Sequence, residues 1–69
     1  MKVKLNGEEK KLSHNQENSV LSEILDAFGY KPNTIIVELN GLIVNSKKLH
    51  DTKLKEGDHI EIVSIVGGG

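Results

Sequence analysis

Cysteine and arginine are both absent from this sequence of 69 residues. Without cysteine the chain has no disulfide bond and no thiolate, so it brings no redox or cysteine-nucleophile chemistry of its own. Nine lysines stand against ten carboxylates, and the net charge is −1. Proteins that bind nucleic acids usually carry a positive excess and use arginine for bidentate contacts with bases and phosphates. The composition therefore argues against nucleic acid as a partner.

Long apolar runs are also missing from the sequence. No stretch approaches the ~20 apolar residues that span a bilayer, which argues against a membrane protein. The first residues, Met1 to Leu5, alternate charged and apolar side chains, as a β-strand does and a signal peptide does not. We therefore expect a cytoplasmic protein. A chain this short buries only about 60% of its unfolded surface, so we expect one domain at most.

Short segments of alternating apolar and polar residues are present, and they predict half-buried β-strands. Asn6 with Gly7, and Asn40 with Gly41, supply the positive φ angles of tight hairpin turns. A largely polar loop follows the second hairpin, with Leu49 as one of its apolar anchors and Leu54 as the other. The predicted strands cover residues 3–5, 9–13, 35–39, 42–44 and 59–66.

One amphipathic helix of about ten residues is predicted between the two hairpins. Ser19 is the predicted N-cap, because its hydroxyl can accept a backbone N–H of the first turn. Gly29 stands where a left-handed C-cap belongs, and Pro32 cannot continue the helix. The apolar stripe comprises Val20, Leu21, Ile24, Leu25 and Phe28, and the polar face comprises Ser22, Glu23 and Asp26.

The order hairpin, helix, hairpin, final strand predicts an α+β fold in which a mixed sheet of four to five strands packs on one helix. A helix that crosses over after a first hairpin places the later strands beside the first strand, and this arrangement is the β-grasp. We expect residues 1–66 to form the β-grasp domain and residues 67–69 to form a flexible glycine tail.

The tail Gly67, Gly68 and Gly69 is the predicted site of chemistry. Residues without a Cβ can thread a narrow channel, and three of them extend about 10 Å. The α-carboxylate of Gly69 is an anion at neutral pH and a poor electrophile, so it needs activation, for instance as an acyl-adenylate. The sequence has no phosphate-binding loop of the G-x-x-x-x-G-K-[ST] type, and the activating enzyme must therefore be another protein.

The whole chain resembles the ThiS group of sulfur carriers, ubiquitin-like β-grasp proteins of thiamin biosynthesis. The resemblance rests on VKLNG at residues 3–7, IVELNG at 36–41, LKEGDHIEIV at 54–63, and VGGG at 66–69. MoaD, the related small subunit of molybdopterin synthase, also ends in Gly-Gly. It is generally longer and has an aromatic and proline-rich approach to its tail, which this chain lacks.

The resemblance implies a route for the chemistry at Gly69. An adenylating enzyme of the ThiF or MoeB type, using ATP and Mg, activates this residue, and a sulfur donor such as a cysteine desulfurase converts it to a thiocarboxylate. The thiocarboxylate then donates sulfur to a thiazole synthase of the ThiG type. Gly68 is the implied essential neighbour, and Gly67 replaces the alanine or similar residue of some relatives. The chain itself is then no enzyme, binds no cofactor and is a monomer when free.

Three alternatives stay open at this point. The chain can be a MoaD-like subunit, or a ubiquitin-like modifier that joins Gly69 to a lysine of another protein. It can also be a plain β-grasp interaction module in which the glycines are incidental. The three histidines match no metal-ligand spacing, and no nucleophile motif accompanies them, so we expect neither a metal site nor a catalytic centre.

A docking surface on the folded domain is needed, because ordering three glycines costs at least ~3–6 kcal/mol and their side chains offer almost no contacts in return. If Ile60 and Ile62 face the helix, the residues that alternate with them face outward. Outward apolar residues near the tail would form a patch for a partner, although single exposed apolar residues are also common. The predicted patch comprises Val63, Ile65, Ile36 and Ile43.

Overall fold

Two Asn-Gly hairpins with a helix between them build the fold, in the order that the sequence predicts. The computed structural model describes residues 1–65, and the predicted tail, with Val66 before it, lies outside the described residues. The elements are β1 (Lys2–Leu5), β2 (Glu8–Lys11), α1 (Leu21–Ala27), β3 (Ile35–Leu39), β4 (Leu42–Val44) and β5 (His59–Ser64). Short 3-10 turns occupy Gln16–Asn18, Pro32–Thr34 and Lys48–His50.

The strands form a five-stranded mixed sheet in the order β2-β1-β5-β3-β4. β1 and β5 run parallel, and the other neighbouring pairs run antiparallel. The helix therefore crosses over between the hairpins, and the last strand enters the centre of the sheet. This topology confirms the predicted β-grasp. It also places the strand that leads to the tail at the centre of the sheet, between β1 and β3.

Both hairpin turns hold β5 as well as their own strands. Asn6 has a φ of 51° and Asn40 a φ of 52°, as the predicted turns require. The Ile62 N–H donates to Asn6 Oδ1 (2.7 Å), and the His59 N–H donates to Asn40 Oδ1 (2.9 Å). Each asparagine therefore supplies the turn conformation and a hydrogen-bond acceptor for the central strand.

The start of the helix differs from the prediction that Ser19 is its N-cap. The helix begins at Leu21, and Val20 occupies the cap position with an extended backbone. The Glu23 carboxylate accepts the Val20 N–H (3.0 Å), and the Leu21 N–H donates to the Thr52 carbonyl (2.6 Å). The prediction is wrong because a distant loop and a side chain of the first turn satisfy backbone N–H groups at this end, so no serine cap is needed.

The end of the helix agrees with the prediction. Gly29 has a φ of +91°, and its N–H donates to the Asp26 carbonyl (2.9 Å). The Tyr30 N–H donates to the Leu25 carbonyl (2.9 Å), which completes a Schellman motif. The helix has seven residues rather than about ten, because Val20 and Phe28 are caps and not helical residues.

The core lies between the helix and one face of the sheet. Leu49 and Leu54 are buried there, so the predicted anchors of the long loop are confirmed. Ser22, predicted on the polar face of the helix, is buried, and that prediction is wrong. Phe28 is only half-buried, at the edge of the predicted stripe, where Lys10 Nζ lies 5.9 Å from its ring centroid. The buried apolar residues are Val3, Leu5, Leu12, Leu21, Ile24, Leu25, Val37, Leu49, Leu54 and Ile60.

The predicted bounds of three strands need correction. β1 begins at Lys2 and not at residue 3. β2 begins at Glu8 and ends at Lys11 instead of covering residues 9–13. Leu12 lies just beyond the strand, where its N–H donates to the Met1 carbonyl (2.8 Å) and its side chain enters the core. β5 ends at Ser64 and not at residue 66, the latter lying outside the described residues.

Candidate functional site

The predicted covalent site, Gly69 with Gly67 and Gly68, lies outside the described residues, and its role stays a prediction. The structure does define the point at which the chain leaves the sheet. After β5, the Ile65 N–H donates to the Thr34 carbonyl (2.9 Å), just before β3 begins. The last described residue is therefore anchored to the folded domain.

The side chains of β5 alternate between the two faces of the sheet, as the sequence predicts. Ile60 is buried beneath the helix, and Ile62 is half-buried against the same core. Glu61 and Val63 are exposed on the opposite face. We call this face, which the helix does not cover, the outer face.

All four residues of the predicted docking patch are exposed. The exposed fractions are 57% for Val63, 54% for Ile65, 41% for Ile36 and 71% for Ile43. Ile36 stands directly opposite Val63 in the antiparallel pair, so the two side chains share the outer face. Ile43 lies on the neighbouring edge strand, on the same face. The structure brings these residues together, while their docking role stays a prediction.

A shallow groove of about 320 Å³ lies within this apolar region. Ile36, Ile43 and Ile65 line it together with Val44 and polar residues of the following loop. Val63 does not line the groove and lies beside it, across from Ile36. The groove thus lies at the end of the sheet where β3 begins and β4 ends, next to the point where the chain leaves β5.

Leu42 is an exposed apolar residue that the sequence analysis did not single out. It is 73% exposed, although it stands opposite Leu39 on the side of the sheet that carries the helix. A strand that alternates its side chains places Leu42 and Ile43 on opposite faces. The sequence does indicate this exposure, because Leu42 directly follows an Asn-Gly turn and the tip of a hairpin projects beyond the elements that cover the sheet.

Two carboxylates border the apolar region on the outer face. Glu38 and Glu61 stand directly opposite each other in the β3–β5 pair, and Ile43 stands opposite Glu38 on the other side. Glu61 is exposed and Glu38 is half-buried. Within residues 1–65, neither carboxylate forms an ion pair. The sequence analysis missed this pair because the register between two strands distant in sequence cannot be obtained from a local pattern.

Shifted carboxyl pKa values occur elsewhere in the domain. The hydrogen bond from Lys10 Nζ to Glu8 Oε1 (2.8 Å), with the charge of that lysine, lowers the pKa of Glu8. The hydrogen bond from the amino terminus of Met1 to Glu17 Oε2 (2.6 Å), with the charge of the amine, lowers the pKa of Glu17. Both carboxylates belong to ion pairs.

The described part of the chain contains no group of three or more histidine or acidic side chains arranged to hold a metal ion. None of the helices in residues 1–65 has the length and apolar character needed to cross a membrane.

Comparison with known proteins is decisive at this point. The sequence profile of the ThiS family matches residues 3–69. The chain belongs to the ThiS family. It is 31% identical to the sulfur carrier protein ThiS of Bacillus subtilis over 67 residues, which cover 97% of this chain and 98% of that protein. The predicted resemblance to ThiS-type sulfur carriers is thus confirmed.

A solved structure and a longer relative extend the comparison. The crystal structure of the thiamine biosynthesis protein ThiS from Geobacter metallireducens matches this ThiS-family chain with a TM-score of 0.82 at 28% identity, and both chains are covered completely. A protein of Magnetococcus marinus named thiazole synthase is 37% identical over 70 residues, which cover 100% of this chain and 20% of that protein. The chain therefore spans about a fifth of the length of this relative.

Proposed function

We propose that this ThiS-family chain carries sulfur as a thiocarboxylate on Gly69 and donates it to the formation of the thiazole ring of thiamin. The observation that supports the proposal is the family match, which extends over residues 3–69 and so includes the glycine tail. The chain itself is a carrier and not an enzyme. It binds no cofactor, and ATP and Mg are used by the activating partner.

The proposed reaction has two steps at the Gly69 carboxyl group. A carboxylate oxygen attacks the α-phosphate of ATP, which forms the acyl-adenylate and releases pyrophosphate. A nucleophilic sulfur at the oxidation level of sulfide then displaces AMP and leaves a thiocarboxylate. If the donor is a persulfide of a cysteine desulfurase, two further electrons from a thiol are needed to release the product. Every catalytic group in this scheme belongs to the partners.

A thiazole synthase is the proposed acceptor of the sulfur. The Magnetococcus marinus relative supports this choice, because a segment similar to the whole of this chain occurs within a protein that is named thiazole synthase. Where a ThiS-like segment and a thiazole synthase form one chain, sulfur can pass directly between them. This supports a direct transfer of sulfur where the two are separate chains. We place the transfer in the cytoplasm, with a free carrier that is monomeric.

The outer face is the proposed docking surface for these partners, through Ile36, Ile43, Val63 and Ile65. Ordering the glycine tail costs free energy that its few contacts do not offset. The four exposed side chains, beside the end of β5, offer the apolar contact area that the tail lacks. This support comes from exposure and position, and the binding measurement described in the Discussion tests it.

Intact-mass measurement tests the proposed function. The chain is incubated with ATP, magnesium, an adenylating enzyme of the ThiF or MoeB type and a sulfur donor. One exchange of oxygen for sulfur, located at Gly69 by fragmentation, is the expected result. A variant without Gly68 and Gly69 is the matched control and should show no exchange. Exchange in the control, or an isopeptide bond from Gly69 to a lysine in place of exchange, would contradict the proposal.

A further inference from the structure

The two hairpin turns of the sheet contain the same tripeptide. Leu5-Asn6-Gly7 follows the course of β1 into its turn, and Leu39-Asn40-Gly41 does the same for β3. Both asparagines lie in the left-handed region, at φ of 51° and 52°, and both accept a backbone N–H of β5 at Oδ1. A difference in reactivity between the two asparagines must therefore come from the fold around them.

Asparagine followed by glycine is the pair of residues in which a side-chain amide reacts most readily with the backbone. The glycine N–H loses its proton to a base in the solvent, the nitrogen attacks Cγ of the asparagine, and the bond from Cγ to Nδ2 breaks with release of ammonia. Glycine favours this step because no Cβ shields its nitrogen. Water then opens the cyclic imide at either carbonyl, which gives aspartate or isoaspartate. The net reaction exchanges ammonia for water and includes no oxidation or reduction.

The side chain of Asn40 is held at both of its polar atoms. Its Oδ1 accepts the His59 N–H (2.9 Å), and its Nδ2 donates to Asp58 Oδ1 (3.0 Å). Asp58 is itself fixed, because it is only 8% exposed and its Oδ2 accepts the Lys55 N–H (2.7 Å). The hydrogen bond restrains the group that must leave. The charge of the carboxylate also opposes the anion that forms when the neighbouring glycine loses its proton.

The side chain of Asn6 is held at one polar atom only. Its Oδ1 accepts the Ile62 N–H (2.7 Å), and within residues 1–65 its Nδ2 has no hydrogen-bond partner. Asn6 is exposed and lines an open groove of about 210 Å³. The carboxylate that lines the same groove, Glu8, is paired with Lys10 (2.8 Å). Water therefore reaches this amide, and no unpaired carboxylate opposes the reaction there.

We infer that Asn6 is a site of spontaneous deamidation in the folded chain, and that Asp58 protects Asn40 from the same reaction. The inference is independent of the proposed carrier function. Aspartate at position 6 keeps an oxygen acceptor for the Ile62 N–H. Isoaspartate lengthens the main chain of the turn by a methylene group and displaces that acceptor. The modification therefore acts on the hold of the first turn on β5, the strand that leads to the tail.

The test compares the two asparagines in one sample. The folded chain is incubated in mildly alkaline buffer, and peptide mapping with fragmentation measures the exchange of NH for O at each asparagine. Asn6 should react roughly ten- to a hundredfold faster than Asn40, which is the value of one hydrogen bond to a charged group. In guanidinium chloride that unfolds the chain, the two rates should be nearly equal, because the tripeptides are identical.

Three results of this comparison would overturn the inference. The first is the same ratio of rates in the folded and the unfolded chain. The second is a faster reaction at Asn40 than at Asn6 in the folded chain. The third is deamidation of the folded chain that occurs only at other asparagines.

Asp58→Asn tests the protecting role of the carboxylate, because it removes the charge and keeps the size of the side chain. The rate at Asn40 should rise about tenfold, while the rate at Asn6 stays unchanged. Asp26→Asn removes the same charge from the exposed side of the helix and should change neither rate. Circular dichroism establishes that the variants are folded. An unchanged rate at Asn40 in folded Asp58→Asn would show that Asp58 does not protect it. If this variant does not fold, the comparison of folded and unfolded wild-type chain decides.

Discussion

The two faces of the sheet differ in what covers their apolar residues. On the inner face, Ile60 and Val37 are buried beneath the helix. On the outer face, Ile36 and Val63 are β-branched as well and stand opposite each other on the same two strands, yet they are exposed. Burial of the first pair stabilises the fold in the free chain. In our proposal a binding partner buries the second pair. The same type of residue therefore stabilises the fold on one face and binds a partner on the other.

Truncation of one residue on each face gives the largest expected effect. Ile60→Ala should lower the free energy of unfolding by about 2–5 kcal/mol, because it leaves a cavity under the helix. Val63→Ala, on the same strand but on the outer face, should change it by no more than about 0.5 kcal/mol. Urea denaturation followed by circular dichroism measures both.

A domain of this size can lose its fold entirely on such a truncation, so Ile60→Val, with an expected loss of about 0.5–1.5 kcal/mol, provides a milder version. Equal losses for the inner and outer positions would show that the comparison of the two faces is wrong.

A charge in the proposed docking patch should have the next largest effect. Ile65→Asp should lower the rate of thiocarboxylate formation at subsaturating adenylating enzyme about tenfold, which corresponds to about 1.4 kcal/mol. Leu42→Asp is the matched control, since it places the same charge on an exposed apolar residue of the opposite face. The rate is followed by intact mass and the fold by circular dichroism. Similar rate losses for both variants would place the docking surface elsewhere.

The turn that holds β5 is expected to make a moderate contribution. Asn40→Ala removes the acceptor for the His59 N–H and the hydrogen bond from Asn40 Nδ2 to Asp58 Oδ1 (3.0 Å), and it places alanine at a positive φ. We expect a loss of about 1–3 kcal/mol in the free energy of unfolding. Asn40→Gly retains the turn conformation but lacks both side-chain hydrogen bonds, so its loss in the free energy of unfolding should be smaller. If Asn40→Gly is as stable as the wild type, the side-chain hydrogen bonds of the asparagine contribute nothing beyond its turn conformation.

The smallest expected effect is the dependence of stability on pH at Glu17. Its pKa in the folded chain is lowered from 4.5, chiefly by the hydrogen bond from the amino terminus. The stabilisation is therefore complete above the unfolded pKa and is lost as the pH falls through the lower folded value. Between pH 7 and pH 3, Glu17→Gln should show a shallower acid loss of stability than the wild type. If chemical denaturation gives the same dependence of the free energy of unfolding on pH for both proteins, the ion pair of Glu17 with the amino terminus does not stabilise the fold.

Local patterns were sufficient to predict much of the fold. The Asn-Gly pairs fix φ at the hairpin turns, Gly29 fixes the helix end, and the alternation along β5 fixes which residues face outward. Each of these depends on residues close together in the sequence. A two-residue turn at Asn40 and Gly41 also sets Leu39 opposite Leu42.

Features set by contacts between distant segments were not predictable from the sequence. The hydrogen bond from the Leu21 N–H to the Thr52 carbonyl made a serine cap unnecessary, and Ser22 is buried although the local pattern places it on the polar face. The pairing of Glu38 with Glu61 depends on the register of two strands that are far apart in sequence. At the candidate site, the exposure of the patch could be predicted by alternation, whereas the groove and the acidic pair could not.

The most direct test of the account is a single-turnover transfer of isotopically labelled sulfur. The purified chain, loaded with labelled sulfur at Gly69, is mixed with a thiazole synthase and its other substrates in the absence of ATP and any sulfur donor. We predict that the label appears in the thiazole product, one sulfur for each chain, and that the chain returns to its carboxylate mass. An unlabelled product, or a label that stays on the chain while product forms, would contradict the central claim that Gly69 carries the sulfur.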